Sequence, residues 1–230
     1  MYVYGKNAVK EYIKNNKKIS KVYFWDKFDD EKIISAIKNL NVSIKILSKK
    51  QLDQLVLGLH QGVILEVPEY QYTSLRDLID SNPDFLVILD HLEDPHNFGA
   101  IIRTCEAVNV NGIIIPKDRS VQVNETVMKV STGAVNNVKV CQVTNLVNTM
   151  KELKKSGFWF IGTDMAGTDY NDIDYKGKIG IVIGNEGSGM SRLVKEECDF
   201  VARIPMYGSV NSLNASVATG IMLYKVLDKR

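Results

Sequence analysis

The sequence predicts an α/β protein built as two units, and three observations carry that prediction. Stretches with helical periodicity alternate with short strand-like runs along almost the whole chain. Beyond residue 84 those runs are continuously apolar, as in FLVILD (85–90), GIIIP (112–116) and IGIVIG (179–184), which is how strands covered on both faces of a parallel sheet read. The stretch PEYQYTSLRDLIDSNPD is polar in bias and punctuated by Pro68 and Pro83, so it reads as a linker carrying a short helix at 74–80. The expected division is therefore a first domain at 1–68, a linker at 69–83 and a second domain at 84–230.

In the first domain, residues 6–16 predict a helix with Ala8, Val9, Tyr12 and Ile13 on one face. KVYFW (21–25) predicts a strand, and Asp29 or Asp30 is placed to cap a helix running through Leu40. VSIKIL (42–47) predicts a second strand. Ser48 then caps a helix carrying Leu52, Leu55 and Val56 that ends near Gly58, and GVILEV (62–67) closes the unit as a strand. About 70 residues give only a thin core. In the second domain, further strands are expected at 138–143, 157–162 and 200–204, with helices at 97–109, 123–132, 144–155, 190–197 and 213–229. Such a sheet binds ligands beyond the carboxyl ends of its strands.

Composition excludes several function classes. No apolar run approaches the roughly 18 residues needed to span a bilayer, and the start lacks an apolar signal core, so no membrane partner and a cytoplasmic location are expected. Cys105, Cys141 and Cys198 are widely spaced and odd in number, which gives neither a disulfide framework nor a zinc-ligand pattern; with His60, His91 and His96 forming no H-E-x-x-H, no metal is expected. The net charge of +2 conceals an asymmetry: residues 1–50 hold 12 Lys against 5 acids, so the amino-terminal end could meet a polyanion, although on charge alone a solvated lysine surface is the slightly better explanation. Lys14, Lys17, Lys18 and Lys21 lie near Tyr12 and Tyr23, which would add stacking surface.

Three segments carry chemistry. In LDHLEDPHNFGAIIRTCEA (89–107) a strand runs into a polar loop with Pro95, Asn97 and Gly99; Asn97 is expected as the helix cap and Arg103 inside the helix, where a guanidinium fork can grip phosphate or a developing oxyanion, although from position alone an ordinary helix-surface salt bridge is the better explanation of Arg103. In IGIVIGNEGSGMSRLVKEECD (179–199) a buried strand enters G-N-E-G-S-G, which is neither the dinucleotide fingerprint nor a P-loop, so a nucleotide-like cofactor would be held in another way. Glu186 in that turn is expected to bond backbone amides, hold a loop or face a cation. In IPMYGSVNSLNASVATGIMLYK (204–225) a strand end leads into a helix whose small residues Ala215, Ala218 and Gly220 permit close packing.

Together and in this order, D-P-x-N-x-G-x-I-x-R-T (94–104), I-x-I-G-x-E-x-x-G-M (181–190) and I-P-M…S-L-N-A-S-V-A-x-G-I (204–221) resemble the three motifs of the SpoU (TrmH) family of RNA 2′-O-ribose methyltransferases. Y-G-x-x-A-V-x-E (4–11) and H-Q-G-V (60–63) are similar to that family's substrate-binding domain, so the resemblance spans essentially the whole chain. It implies a small L30e-like α/β substrate-binding domain followed by a SPOUT-type α/β domain with a parallel sheet and a deep trefoil knot within about 179–225, a topology that periodicity alone would never suggest. It implies S-adenosylmethionine as cofactor, held by Gly184, Asn185, Ile204, Met206 and Leu213, and a homodimer whose active sites draw on both chains, with the 213–227 helix as an interface element. The implied reaction is methyl transfer to the ribose 2′-hydroxyl of a guanosine in 23S rRNA, in the peptidyl-tRNA-binding loop. The alternatives are a tRNA guanosine and a non-catalytic RNA-binding assembly factor; Asn97, Arg103, Glu186 and Asn214 standing together argue against the last. By family logic Arg103 stands at the target ribose, where its always-charged guanidinium positions phosphate and stabilises the oxyanion. Asn97 and Asn214 would orient it, and Glu186 would shape the site or pair with it. Asn7 departs from the family's usual His, and Cys105 and Ala215 replace Ala and Val at packing positions.

Overall fold

The structure, a computed structural model, describes residues 1–16 and 18–229; Lys17 and Arg230 lie outside the described residues. The chain divides into two compact units, Met1–Gln71 with Val123–Gly133, and Tyr72–Gln122 with Ala134–Arg230.

The first unit is a four-stranded sheet of order β1-β4-β2-β3, formed by β1 (Tyr2–Tyr4), β2 (Lys21–Trp25), β3 (Ser43–Leu47) and β4 (Val63–Glu66). β2 and β3 are parallel, while β4 runs antiparallel to both β1 and β2. The alternation of the strands decides the layers. Val22, Phe24, Val63 and Leu65 face α1 (Lys6–Lys14) and α2 (Glu31–Lys38), which supply Val9, Ile33 and Ile37. Tyr23, Leu47 and Ile64 face α3 (Lys49–Leu55), which supplies Leu52. Asp30 is the cap of α2, accepting from the Ile33 amide at 3.2 Å. Ser48 starts α3, donating both its amide and its hydroxyl to Gln51 Oε1 at 3.0 Å. α3 stops at Leu55, where Val56 turns extended, short of the expected end near Gly58.

Three features of this unit differ from the sequence expectation. β1 is too short at three residues to show a period, and it exists because β4 offers it an antiparallel edge. The segment Val123–Gly133, with α6 (Glu125–Val130), groups here and not with the residues on either side of it. Glu125 Oε1 accepts from the Tyr2 amide at 2.9 Å, and Met128 packs on the Val9–Ile37 core. Tyr23 is no stacking surface: it is buried and its hydroxyl donates to Glu66 Oε2 at 2.5 Å, which raises its pKa to about 12. Tyr12 donates to the Lys18 carbonyl at 3.2 Å.

The second unit is a six-stranded, wholly parallel sheet of order β10-β8-β9-β5-β6-β7. Its strands are β5 (Phe85–Leu89), β6 (Gly112–Pro116), β7 (Lys139–Val143), β8 (Phe158–Asp169), β9 (Lys178–Ile183) and β10 (Phe200–Arg203). The apolar runs are β5 and β6, buried at every residue, and β9, buried from Ile179 onward. The helices are α4 (Leu75–Asp80), α5 (Pro95–Ala107), α7 (Leu146–Lys155), α8 (Arg192–Glu197) and α9 (Ala215–Lys229), with a 3-10 turn at Ala134–Asn136. α4 lies in the expected linker but supplies buried Leu78 to the core of this unit, beside Leu86, Ile88 and Met150. β8 runs seven residues past its expected end at 162, pairing Thr168 and Asp169 with Ala202 and Arg203 after a register shift in β10. Gly167 permits this approach, since a Cβ there would stand 2.4 Å from the Val201 carbonyl oxygen.

Candidate active site

The chemistry-bearing segments converge at the carboxyl ends of β5, β8, β9 and β10, where an open parallel sheet holds its ligands. β9 delivers Gly184 into a turn that doubles back on itself. Asn185 and Gly189 exchange both backbone hydrogen bonds at 3.0 and 2.9 Å, and a Cβ on Gly184 would lie 2.2 Å from the Gly189 carbonyl carbon. Only glycine fits where one backbone crosses so close to another. Asn185 holds the turn from inside: its Oδ1 accepts from the Gly187 and Ser188 amides at 2.9 and 3.1 Å, and its Nδ2 donates to the His91 carbonyl at 2.8 Å.

The segment after β5 is tied to that turn twice. Asp90 is buried, and its carboxylate accepts from the Ser191 amide at 2.6 Å and contacts His91 Nδ1 at 2.7 Å. Glu186 reaches back to the start of α5, accepting from the Glu93 and Asp94 amides at 3.4 Å each and from Asn97 Nδ2 at 3.0 Å. Asn97 Oδ1 in turn accepts from Asn214 Nδ2 at 2.9 Å. Asn214 Oδ1 takes the Ser216 amide at 2.9 Å, capping α9 as it does so.

One expectation about α5 is corrected by this geometry. Asn97 is not the helix cap: Asp94 is, accepting from the His96 amide at 2.9 Å, with Pro95 in the first turn. Proline's fixed φ and missing N–H suit a helix start, so Pro95 begins the helix instead of extending the loop. Asn97 thereby falls inside α5, nearly buried, with its amide free to bridge Glu186 and Asn214. Of the alternatives for Glu186, bonding backbone amides and holding the loop is the one seen within this chain; no hydrogen bond or ion pair joins Arg103 to Glu186, Asn97 or Asn214 among the described residues. Arg103 is exposed on α5, and its guanidinium makes no hydrogen bond or ion pair among the described residues.

Beside this network lies a cavity of about 620 Å³. Gly184, Asn185, Glu186, Ile204, Met206, Leu213 and Asn214 all line it; Asn97 joins through its hydrogen bonds, and Arg103 does not line it. Thr163 and Asp164, in the middle of β8 just past its last pairing with β9 at Gly162, line it too and are not among the residues the sequence singles out. Their signal was position alone, at the carboxyl side of a parallel strand. Lys195 Nζ stands 2.7 Å from Asp164 and, with the Ala166 amide, holds that carboxyl below its usual range. The donor set suits a nucleoside-bearing ligand: backbone groups of a glycine turn, apolar Ile204, Met206 and Leu213, and a few polar side chains, in a volume typical of cofactor pockets at roughly 300–1,000 Å³. Cys105 and Ala215 are buried packing residues. Among the described residues no group of three or more His, Cys, Asp or Glu is arranged to hold a metal ion, and no helix is long and apolar enough to cross a membrane.

Residues 84–224 match the SpoU rRNA methylase family, and residues 2–73 match the RNA 2′-O ribose methyltransferase substrate-binding domain. The chain is 45% identical over 238 residues to YacO of Bacillus subtilis (strain 168), assigned as a TrmH family tRNA/rRNA methyltransferase, covering 100% of this chain and 96% of the relative. Among solved structures it is similar to the SpoU methyltransferase AviRb from Streptomyces viridochromogenes in complex with AdoMet (23% identity, TM-score 0.84, 100% of this chain and 89% of that one), a likeness of fold. It is also similar to the AdoMet-bound rRNA methyltransferase from Sinorhizobium meliloti (26% identity, TM-score 0.78, 98% and 85%). The two domain matches, read together with the glycine turn and its cavity, make this chain a member of the SpoU (TrmH) family of S-adenosylmethionine-dependent RNA 2′-O-ribose methyltransferases.

Proposed function

We propose that the protein methylates the ribose 2′-hydroxyl of a guanosine in 23S rRNA, in the peptidyl-tRNA-binding loop, with residues 1–68 engaging RNA and 84–230 performing transfer. The observation that carries the catalytic part is the Glu186–Asn97–Asn214 relay bordering the cavity, with Arg103 on the same helix as Asn97. Gly184, Asn185, Ile204, Met206 and Leu213 would hold the cofactor there. S-adenosylmethionine, when bound, supplies a sulfonium methyl that an oxygen nucleophile can take directly. The chain's own task is positioning and charge stabilisation. Arg103 keeps its proton, grips the neighbouring phosphate and offsets negative charge growing on the 2′-oxygen. Glu186 and the two asparagines hold the turn, the start of α5 and the start of α9 in register.

The same reading makes the enzyme a homodimer with sites drawn from both chains. Its support is that Arg103 is exposed, unpaired among the described residues and absent from the lining of its own chain's cavity, while α9 exposes Val217, Tyr224 and Leu227. Family membership supports a deep trefoil knot within about 179–225 and a cytoplasmic site of action on RNA. The tRNA alternative draws support from the likeness to the A. aeolicus TrmH/SpoU tRNA modifying enzyme (34% identity, TM-score 0.59, 68% of this chain and 82% of that one).

The test is methyl transfer from labelled S-adenosylmethionine to protein-free 23S rRNA and, separately, to bulk tRNA, both from cells lacking this protein. Labelled 2′-O-methylguanosine in 23S rRNA is the expected product. Label confined to tRNA moves the target, and no label in either RNA overturns the catalytic reading on these substrates.

A further inference from the structure

A second cavity, of about 650 Å³, lies wholly within the first unit. It sits where the parallel strands β2 and β3 end, between Trp25 at the end of β2, Phe28 just after it, Lys49 at the start of α3, and the His60–Gly62 loop. That loop is built with care. His60 is buried; its Nδ1 accepts from the Gly62 amide at 2.9 Å, so its ring proton belongs on Nε2, facing Asp53 Oδ1 at 2.9 Å. Gln61 and Gly62 both hold positive φ, 52° and 84°. A Cβ on Gly62 would stand 2.8 Å from the Phe28 ring and 3.4 Å from Trp25 Cβ, so the loop backbone lies directly against the two aromatics. Holding a non-glycine residue at positive φ costs free energy that the surroundings must offset. Here the strained Gln61 directs its Oε1 to the Lys6 amide at 2.8 Å and leaves its Nε2 without a partner among the described residues.

The chemistry at the rim is consistent with one kind of ligand. Trp25 and Phe28 are half-buried, and Leu59 is 79% exposed at the edge. Lys6 Nζ stands 5.3 Å over the Phe28 ring and 3.7 Å from Asp29. Lys27 and Lys49 line the cavity, are exposed, and have no ion pair among the described residues. Half-buried Trp25, the part of Phe28 left open by its stacking on Phe24, a free amide donor, and two ammonium groups without ion pairs, set beside the carboxylates of Asp29 and Asp53, offer an unstacked base and its flanking phosphates a place to dock. We propose that this cavity docks one unpaired nucleotide of the RNA substrate, with the base against Trp25 and Phe28, its edge at Gln61, and its phosphates at Lys27 and Lys49. This rests on the reading of the first unit as RNA-binding and adds where and how it grips.

The experiment uses the full chain and a short single-stranded oligoribonucleotide of mixed sequence carrying one 4-thiouridine. Photo-crosslinking followed by mass spectrometry should place the adduct on residues 25–28 or 59–62. By fluorescence anisotropy, Lys27→Glu with Lys49→Glu should weaken binding about tenfold or more and flatten the salt dependence by roughly one unit of slope. Trp25→Leu should weaken binding about tenfold, with Trp25→Phe recovering most of it. Thermal melts and S-adenosylmethionine calorimetry should match wild type for the lysine pair, so the test stands even if Trp25→Leu loosens the domain. Wild-type affinity in the lysine pair, or adducts only elsewhere, overturns the proposal; equal competition by an acidic peptide of matched charge overturns it in favour of a protein partner. If the wild type methylates RNA while these variants bind and crosslink normally, this docking site fails and the enzyme reading stands. If the cavity takes the oligonucleotide but no RNA is methylated, the reverse holds.

Discussion

Asn97 donates to Glu186 Oε1 at 3.0 Å while accepting from Asn214 at 2.9 Å, so residues 89 and 117 positions apart in sequence are joined through one side-chain amide. Each of the three belongs to a different segment: the start of α5, the glycine turn after β9, and the cap of α9. The amide acts as a strut whose two ends must both be satisfied, because Asn97 is nearly buried.

Asn97→Ala removes the strut and leaves Asn214 Nδ2 without its partner. A loss of about 1–3 kcal/mol is expected, read as a lower urea midpoint with unchanged m-value. S-adenosylmethionine affinity should fall in parallel by calorimetry, since Glu186 and Asn214 both line the cavity. Asn97→Asp should be worse, because it sets a second carboxylate against Glu186. A wild-type midpoint and affinity in both variants would show the relay to be incidental.

Arg103 is exposed and supports no internal contact among the described residues, so its removal should cost no stability. Arg103→Ala should lower methyl transfer by at least about 100-fold while leaving cofactor affinity and melting temperature unchanged. Arg103→Lys should recover little, because an ammonium cannot reproduce the planar fork. Normal turnover by Arg103→Ala would remove it from the site.

At Gly184 the limit is backbone on backbone. A methyl 2.2 Å from the Gly189 carbonyl carbon cannot be relieved by rotating a side chain. Gly184→Ala should cost ~1–3 kcal/mol or more in stability and abolish measurable cofactor binding, whereas Gly208→Ala, with open space around its Cβ position, should do neither. Equal melting temperatures for the two variants would contradict the crossing seen here.

Burial pushes the Cys141 thiol up to about 11 and, with Asp199 adding to it, Cys198 up to about 12; Cys105, fully buried, is raised further. A group whose folded pKa is raised contributes stability that is intact below its unfolded value of 9.0 and is lost as pH climbs toward the folded value. Tyr23, bonded to Glu66, and buried Tyr175 act in the same direction, each raised to about 12. Denaturation midpoints should therefore fall steadily from about pH 9 to about pH 11, with native thiols alkylating slowly at about pH 8 and quickly once unfolded. A flat alkaline profile would mean that these groups titrate alike in both states.

Much of this protein is legible along the chain itself. The buried runs of β5, β6 and β9, the period of α7, the Asp30 and Ser48 helix starts, and the glycine turn at 184–189 are local patterns, and short-range physics decides them. Gly184, Asn185, Ile204, Met206 and Leu213 stand out in the sequence through the resemblance of three motifs to the SpoU (TrmH) family, not through periodicity, and Thr163 and Asp164, which line the same cavity, do not stand out at all. What the sequence left open is every relationship whose partner is far away. Glu186 finds Asn97 instead of Arg103, Asp90 clasps the Ser191 amide, β8 continues to Asp169 because β10 offers it a second register, and Val123–Gly133 groups with the first unit. Periodicity and capping report the chain within a turn or two of each residue; which distant group satisfies a buried amide or carboxylate is decided only when the tertiary fold brings the two together.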